Sequence, residues 1–128
     1  MSLFQPLGLD HVVLRVRDQE TSRRFYGDIL GCTLEHVNER ISLVQLRFGE
    51  HLIDLLPAES EAAPEPGIGM DHFCLSIRCE DPQALREDLV RRGVAVDGEV
   101  VERRGAYGTG ASVYIRDPDG YRIELKPR

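Results

Sequence analysis

Apolar and polar side chains alternate along two short segments of the chain, 11–16 and 72–77. Side chains of a β-strand point alternately to its two faces, so a period of two predicts two strands with one apolar face each. The apolar positions are Val12, Leu14 and Val16 in the first segment and Phe73, Leu75 and Ile77 in the second. Each strand is therefore expected to pack one face under a helix and to present polar residues on the other.

A stretch with helix boundaries follows each predicted strand. The first runs over 19–30 after Asp18 and stops at Gly31. The second runs over 83–92 after an Asp-Pro pair and stops at Gly93. Aspartate before a helix and glycine just past its end are ordinary helix boundaries, so the chain predicts two helices.

Each half then supplies further strand-like segments. These are 41–48 and 52–56 after the first helix, and 94–101, 111–116 and 121–125 after the second. The pattern predicts an α+β fold with two βαβββ modules in tandem, whose sheets curl into a cup. Module 1 spans about 7–56, a Pro- and Glu-rich linker spans 57–69, and module 2 spans about 70–126 of a single domain, 1–128.

The two halves also repeat each other in sequence. Segment 8–17 recurs as 69–78 at an offset of 61 residues, with five of ten positions identical. The repeat carries His11 in one half and His72 in the other. At the end of each half a carboxylate stands between two apolar residues, Asp54 in the first and Glu124 in the second.

Strand alternation places these four side chains on the sheet faces away from the helices. Two imidazoles with one or two carboxylates form a ligand set for a divalent transition metal. The sequence therefore predicts a metal site inside the cup.

Composition and charge argue against several classes of partner. The chain has 128 residues and a net charge of −6, which argues against nucleic-acid and membrane partners. No apolar run approaches the ~18 residues of a membrane span, and the N-terminus lacks a signal-peptide pattern. Three cysteines without a CxxC pair indicate a reduced, cytoplasmic protein.

Four motifs, at 10–16, 25–31, 71–73 and 117–125, resemble the vicinal oxygen chelate superfamily. This superfamily includes glyoxalase I, fosfomycin-resistance transferases, bleomycin-resistance proteins and extradiol dioxygenases. The resemblance covers nearly the whole chain. It implies paired βαβββ modules around a metal cup and a homodimer.

The resemblance also implies the ligands. His11, His72 and Glu124 match the family's His, His and Glu, and Asp54 matches a fourth position that is usually Glu or Gln. The side chain of Asp54 is one methylene shorter than that of Glu. We therefore expect Asp54 to bind the metal through a water, or not at all, which would leave the metal with three protein ligands. The metal is expected to be Ni, Zn, Fe or Mn.

The motifs are closest to those of small glyoxalase I-like proteins. This implies a metal-dependent lyase or isomerase that acts on a substrate with vicinal oxygens through an enediolate, with Glu124 as catalytic base and glutathione as a co-substrate. Arg15 matches a residue that contacts the glutathione part of the substrate. Tyr107, in the hairpin 105–110, and Tyr114 are further candidate substrate contacts.

Three alternatives stay open. A metal-free protein could bind a drug or metabolite in the cup, as bleomycin-resistance proteins do. A small Fe(II) ring-cleaving dioxygenase would use the same His-His-carboxylate set. A fosfomycin-type thiol transferase is the third alternative. Tyr114 of this chain matches a tyrosine of that group, but Val13 stands where that group carries Thr.

Overall fold

The computed structural model describes residues 5–59, 65–67 and 70–128. The chain divides into two compact units, Met1–Pro64 and Glu65–Arg128. Positions 60–64, 68 and 69 of the predicted linker lie outside the described residues. Pro57, predicted as the first linker residue, is the last residue of a strand.

The first unit is a four-stranded sheet with one short helix. Its elements are β1 (His11–Val16), α1 (Gln19–Arg24), a π-helical turn (Phe25–Ile29), β2 (Thr33–Asn38), β3 (Leu43–Phe48) and β4 (His51–Pro57). The strand order is β1-β4-β3-β2. Strand β1 runs parallel to β4, and the other neighbours are antiparallel.

The second unit repeats this topology. Its elements are β5 (Phe73–Ile77), α2 (Pro82–Arg91), β6 (Ala95–Val96), β7 (Val101–Gly105), β8 (Gly108–Arg116) and β9 (Arg122–Pro127). The order is β5-β9-β8-β6, and β7 pairs with the other end of β8. Strand β5 is parallel to β9, as β1 is to β4. The predicted α+β fold with two βαβββ modules is confirmed.

The predicted strand faces are also confirmed. Leu14 and Val16 of β1 are buried, whereas His11 and Arg15 are exposed. In the central strands the apolar residues beside the two carboxylates form the core of each unit. These are Ile53 and Leu55 in β4, and Ile123 and Leu125 in β9.

The first helix differs from the prediction in its second half. The prediction was a single helix over 19–30, but α1 ends at Arg24 and the chain continues as the π-helical turn Phe25–Ile29. Tyr26 in this turn is fully buried, so packing of its ring favours the wider turn. Gly31 then adopts φ +76°, a left-handed conformation that ends the helical segment.

Two strand predictions were incomplete. Strand β2 was not predicted, because five of its six residues are exposed and no apolar alternation marks it. The predicted strand 94–101 is interrupted: β6 and β7 pair with different parts of β8, and Gly98 between them has φ +84°. The remaining strand and helix ends coincide with the predictions or differ from them by at most three residues.

Within the described ranges, no helix has the length and apolar character needed to cross a membrane.

Candidate metal and substrate site

The second unit brings two predicted ligands into contact. His72 immediately precedes β5, and Glu124 lies in the neighbouring strand β9, where it pairs with Cys74. His72 Nε2 is 3.0 Å from Glu124 Oε1. Two ligand atoms at right angles on one metal ion, with bonds of about 2.1 Å, are about 3 Å apart. The spacing of this pair therefore fits two neighbouring ligands of one ion.

The other ring nitrogen of His72 is held by an acidic neighbour. Nδ1 lies 2.7 Å from Asp71 Oδ2, and this hydrogen bond lowers the pKa of Asp71. A carboxylate that accepts from Nδ1 fixes the orientation of an imidazole and leaves Nε2 for a metal. The Asp-His pair is thus a local contact whose geometry also fits a metal ligand.

Glu124 is buried and both of its oxygens accept hydrogen bonds. Ser112 Oγ donates to Oε2 at 2.6 Å, and Tyr114 Oη donates to Oε1 at 3.0 Å. Burial raises the pKa of Glu124, but these hydrogen bonds and the adjacent His72 outweigh burial and hold it below its usual value. The side chain is therefore a carboxylate at neutral pH, the form that ligates metals and accepts protons.

The first unit holds the corresponding pair. His11 begins β1, and its Nδ1 lies 2.8 Å from Asp10 Oδ1, as His72 lies beside Asp71. The hydrogen bond to Asp10 raises the pKa of His11, and the negative charge of Asp54 on the neighbouring strand β4 adds to this. The two units therefore present the same Asp-His arrangement next to a strand that carries a carboxylate.

The carboxylate of Asp54 has fewer hydrogen-bond partners than that of Glu124. It is buried, and Gln45 Nε2 donates to its Oδ2 at 3.2 Å. Its Oδ1 is the one buried side-chain oxygen or nitrogen in the described part of the chain without a hydrogen-bond partner. A buried carboxylate oxygen without a donor is costly, and a bound cation would satisfy it. Asp54 therefore fits a metal or a metal-bound water.

The four residues stand two in each unit, His11 and Asp54 in the first and His72 and Glu124 in the second. Across 5–59, 65–67 and 70–128, no group of three or more His, Cys, Asp and Glu side chains forms a metal-binding cluster. The four-residue ligand set stays a prediction, supported by the contacts within each unit.

The three predicted substrate contacts lie in different settings. Arg15 faces away from the helices, where Nη1 donates to Pro57 O at 3.1 Å and Nη2 lies 3.2 Å from Glu59 Oε1. Tyr107 lies in the turn between β7 and β8, so the predicted hairpin is confirmed, and its ring is largely exposed. Tyr114 is buried and contacts Glu124, which makes it a support for the carboxylate.

A cavity of about 390 Å³ opens beside the His72–Glu124 pair. It lies in the second unit and includes side chains of β5, β9 and the β7–β8 hairpin. Its lining includes His72, Cys74, Arg104, Tyr107, Glu124 and Lys126. Both predicted ligands of this unit therefore border a space large enough for a small substrate.

A sequence profile of the glyoxalase/bleomycin resistance protein/dioxygenase superfamily matches residues 8–125. The chain belongs to this superfamily. Membership in the superfamily confirms the resemblance drawn from the four motifs.

Relatives in the glyoxalase/bleomycin resistance protein/dioxygenase superfamily have several names. A virulence protein of Salmonella typhimurium is 35% identical over 122 residues, which cover 91% of this chain and 81% of that protein. A lactoylglutathione lyase of Escherichia coli O157:H7 is 31% identical over 123 residues, covering 90% and 88%. An integron cassette protein of V. cholerae has a structure with a TM-score of 0.78 at 29% identity, with 98% of both chains covered.

Two residues of the candidate site were not predicted from the sequence, Ser112 and Lys126. Ser112 donates to Glu124, and Lys126 lies beside it in the cavity lining. Ser112 reaches Glu124 only because β8 is antiparallel to β9 with Tyr114 opposite Glu124, a register that the sequence alone does not provide. Lys126 could have been found by strand alternation, since it stands two residues after Glu124.

Proposed function

We propose that this protein is a divalent-metal-dependent lyase or isomerase of the glyoxalase type, acting on a small substrate with vicinal oxygens. The observation that carries the proposal is Glu124. It is a buried carboxylate held by Ser112 and Tyr114, 3.0 Å from His72 and at the wall of a cavity. A carboxylate that only stabilised the fold would not need to line a cavity large enough for a substrate.

The metal would be held by His11, His72 and Glu124, with Asp54 as a fourth ligand or through a water. When bound, such an ion supplies Lewis acidity toward adjacent oxygens of the substrate. The two Asp-His pairs and the unpartnered Oδ1 of Asp54 support this donor set.

Glu124 would act as the catalytic base. Its carboxylate takes a proton from one carbon of the substrate and returns it to the neighbouring carbon, so the reaction is an isomerisation with no net loss of atoms. Ser112 and Tyr114 fix the carboxylate and keep it ionised.

The name of the Escherichia coli relative, lactoylglutathione lyase, supports glutathione as the co-substrate. In that case Arg15 and Tyr107 are the proposed contacts to the remote part of the thiol, because a guanidinium pairs well with a carboxylate. We further propose a homodimer that acts in the cytoplasm.

The test is turnover of the hemithioacetal of methylglyoxal and glutathione. The protein is stripped with a chelator and then reloaded separately with nickel, zinc, cobalt or manganese. We expect product formation to return with at least one of these ions and to be absent in the stripped protein. No turnover with any of the four ions would contradict the proposal.

A further inference from the structure

Lys126 is unusual in both sequence and structure. It is the single lysine among sixteen basic residues, the others being arginines. Its side chain is buried, with 8% exposure. Burial of an ammonium group costs free energy unless a partner compensates it, so a buried lysine usually has a role.

The strand geometry places Lys126 next to the proposed base. Glu124 and Lys126 are two residues apart on β9 and therefore share a face, about 6.6 Å apart along the strand. Their partners on β5, Cys74 and Ser76, line the same cavity. Lys126 is thus one strand repeat away from the residue whose carboxylate would move the proton.

Two glycines of the β7–β8 hairpin make room for this side chain. A Cβ at Gly105 would lie 2.8 Å from Lys126 Cε, and one at Gly110 would lie 3.0 Å from Nζ. Real Cβ atoms essentially never come as close as the first of these distances. The hairpin therefore approaches the end of the lysine side chain closely, at two positions that carry no side chain of their own.

In the described part of the chain, no salt bridge compensates the charge of Lys126 directly. Over the described residues, its side chain also forms no hydrogen bond. Arg104 and Arg128 line the same cavity, which thus has three cationic side chains against the single carboxylate of Glu124. The chain as a whole carries −6, so a cationic cavity is a local feature and not the result of a basic protein.

We propose that Lys126 binds an oxyanion of the substrate, a carboxylate or a phosphate, in the same cavity that Glu124 lines. The substrate class is then a small anionic compound with vicinal oxygens, and Arg104 and Arg128 attract it to the cavity. The identification of this anion as part of the substrate rests on the proposed function; binding of the anion at Lys126 does not.

The single lysine of this sequence allows a direct test by NMR spectroscopy on the metal-free protein. Lysine labelled with ¹³C at Cε yields one lysine signal, which is titrated with lactate, inorganic phosphate and the neutral lactamide. We expect a saturable shift with lactate or phosphate and none with lactamide. The oxyanion that binds more tightly assigns the class, carboxylate or phosphate. No shift with either anion, or an equal shift with lactamide, would overturn the proposal.

Two variants separate this site from general charge effects. In Lys126→Met the anion affinity, followed at the backbone amide of Gly105, should fall by about tenfold or more, the contribution expected of a hydrogen bond to a charged group. Arg91→Met removes an exposed cation from α2 and should bind as the parent does. Equal affinities of parent and Lys126→Met, or equal losses in both variants, would refute the site.

A further pair of outcomes distinguishes the two proposals. Anion binding at Lys126 without turnover of any hemithioacetal would support the site and contradict the glyoxalase reaction. Turnover without an anion response of Lys126 would support the reaction and overturn the site.

Discussion

At the scale of single residues, the two carboxylates that end the halves of the chain have different surroundings. Glu124 accepts hydrogen bonds on both oxygens, whereas Oδ1 of Asp54 has no partner. Their correspondence was predicted from sequence, because each stands between two apolar residues of a final strand. The hydrogen bonds of the two carboxylates were not predicted. Ser112 and Gln45 donate them from neighbouring strands, and the sequence does not show the register of those strands.

The unpartnered oxygen leads to a prediction for Asp54→Asn. An amide is neutral and can donate, so the metal-free variant should be as stable as the parent or more stable by about 1 kcal/mol. Its metal affinity should fall, since a carboxylate is the better ligand. Urea unfolding with chelator and a metal titration measure the two effects.

The control for Asp54→Asn is Glu39→Gln, which removes an exposed charge from a turn of the same unit. This variant should match the parent in both measurements. A metal-free Asp54→Asn protein less stable than the parent by more than about 1 kcal/mol would show that Asp54 has a structural partner instead.

Tyr114 leads to a second prediction. Tyr114→Phe removes one donor from Glu124 and leaves the aromatic ring against His72 and Arg122. Loss of a partner that orients a ligand typically costs 10- to 100-fold in metal affinity or activity, and we expect a loss in that range. Metal content and hemithioacetal turnover measure it. An unchanged variant would show that Tyr114 does not orient the carboxylate.

At the scale of elements, the interruption between β6 and β7 carries a network of ion pairs. Asp97 follows β6, and its Oδ2 accepts from Arg116 Nη2 at 3.1 Å and from Arg122 Nε at 3.0 Å. This contact ties the segment after β6 to β8 and β9. The apolar pattern over 94–101 predicted one strand there, and the Asp97-Gly98 pair inside it was the only local sign of a turn. The arginines that bind Asp97 are 19 and 25 residues away, so the sequence did not show this contact.

The pH dependence of stability should reflect this ion pair. The hydrogen bond from Arg122 is the main cause of the lowered pKa of Asp97, with burial opposing it and Arg116 adding to it. A carboxyl group with a lowered pKa stabilises the folded state above its ordinary pKa, and this stabilisation is lost as the pH falls through the lowered value. The contribution should therefore be complete at neutral pH.

Asp97→Asn should accordingly lower the free energy of unfolding by about 0.5–1 kcal/mol at pH 7, a partly exposed ion pair being worth no more. The difference from the parent should be smaller at about pH 3, below the ordinary pKa of an aspartate, because the stabilisation is lost as the pH falls toward and through the lowered pKa. Urea unfolding at the two pH values measures it. A difference that is the same at both would show that the charge of Asp97 does not contribute.

At the scale of the whole molecule, the internal repeat predicted most of the fold. An offset of 61 residues between His11 and His72 indicates that one βαβββ plan is used twice, and both units have the parallel pairing of first and last strands. The repeat does not extend to the cavity. Lys126 and the glycines that receive it belong to the second half, and their roles follow from side-chain packing that no repeat encodes.

The central claim is that Glu124 is both metal ligand and catalytic base, and Glu124→Gln tests it most directly. The amide oxygen can still coordinate, so part of the metal should remain bound, whereas turnover of the hemithioacetal per bound metal should fall by about 10²–10⁴-fold, the contribution of a positioned base. Glu87→Gln, an exposed change on α2, should act as the parent does. A Glu124→Gln protein that holds metal and turns over within about tenfold of the parent rate would contradict the account.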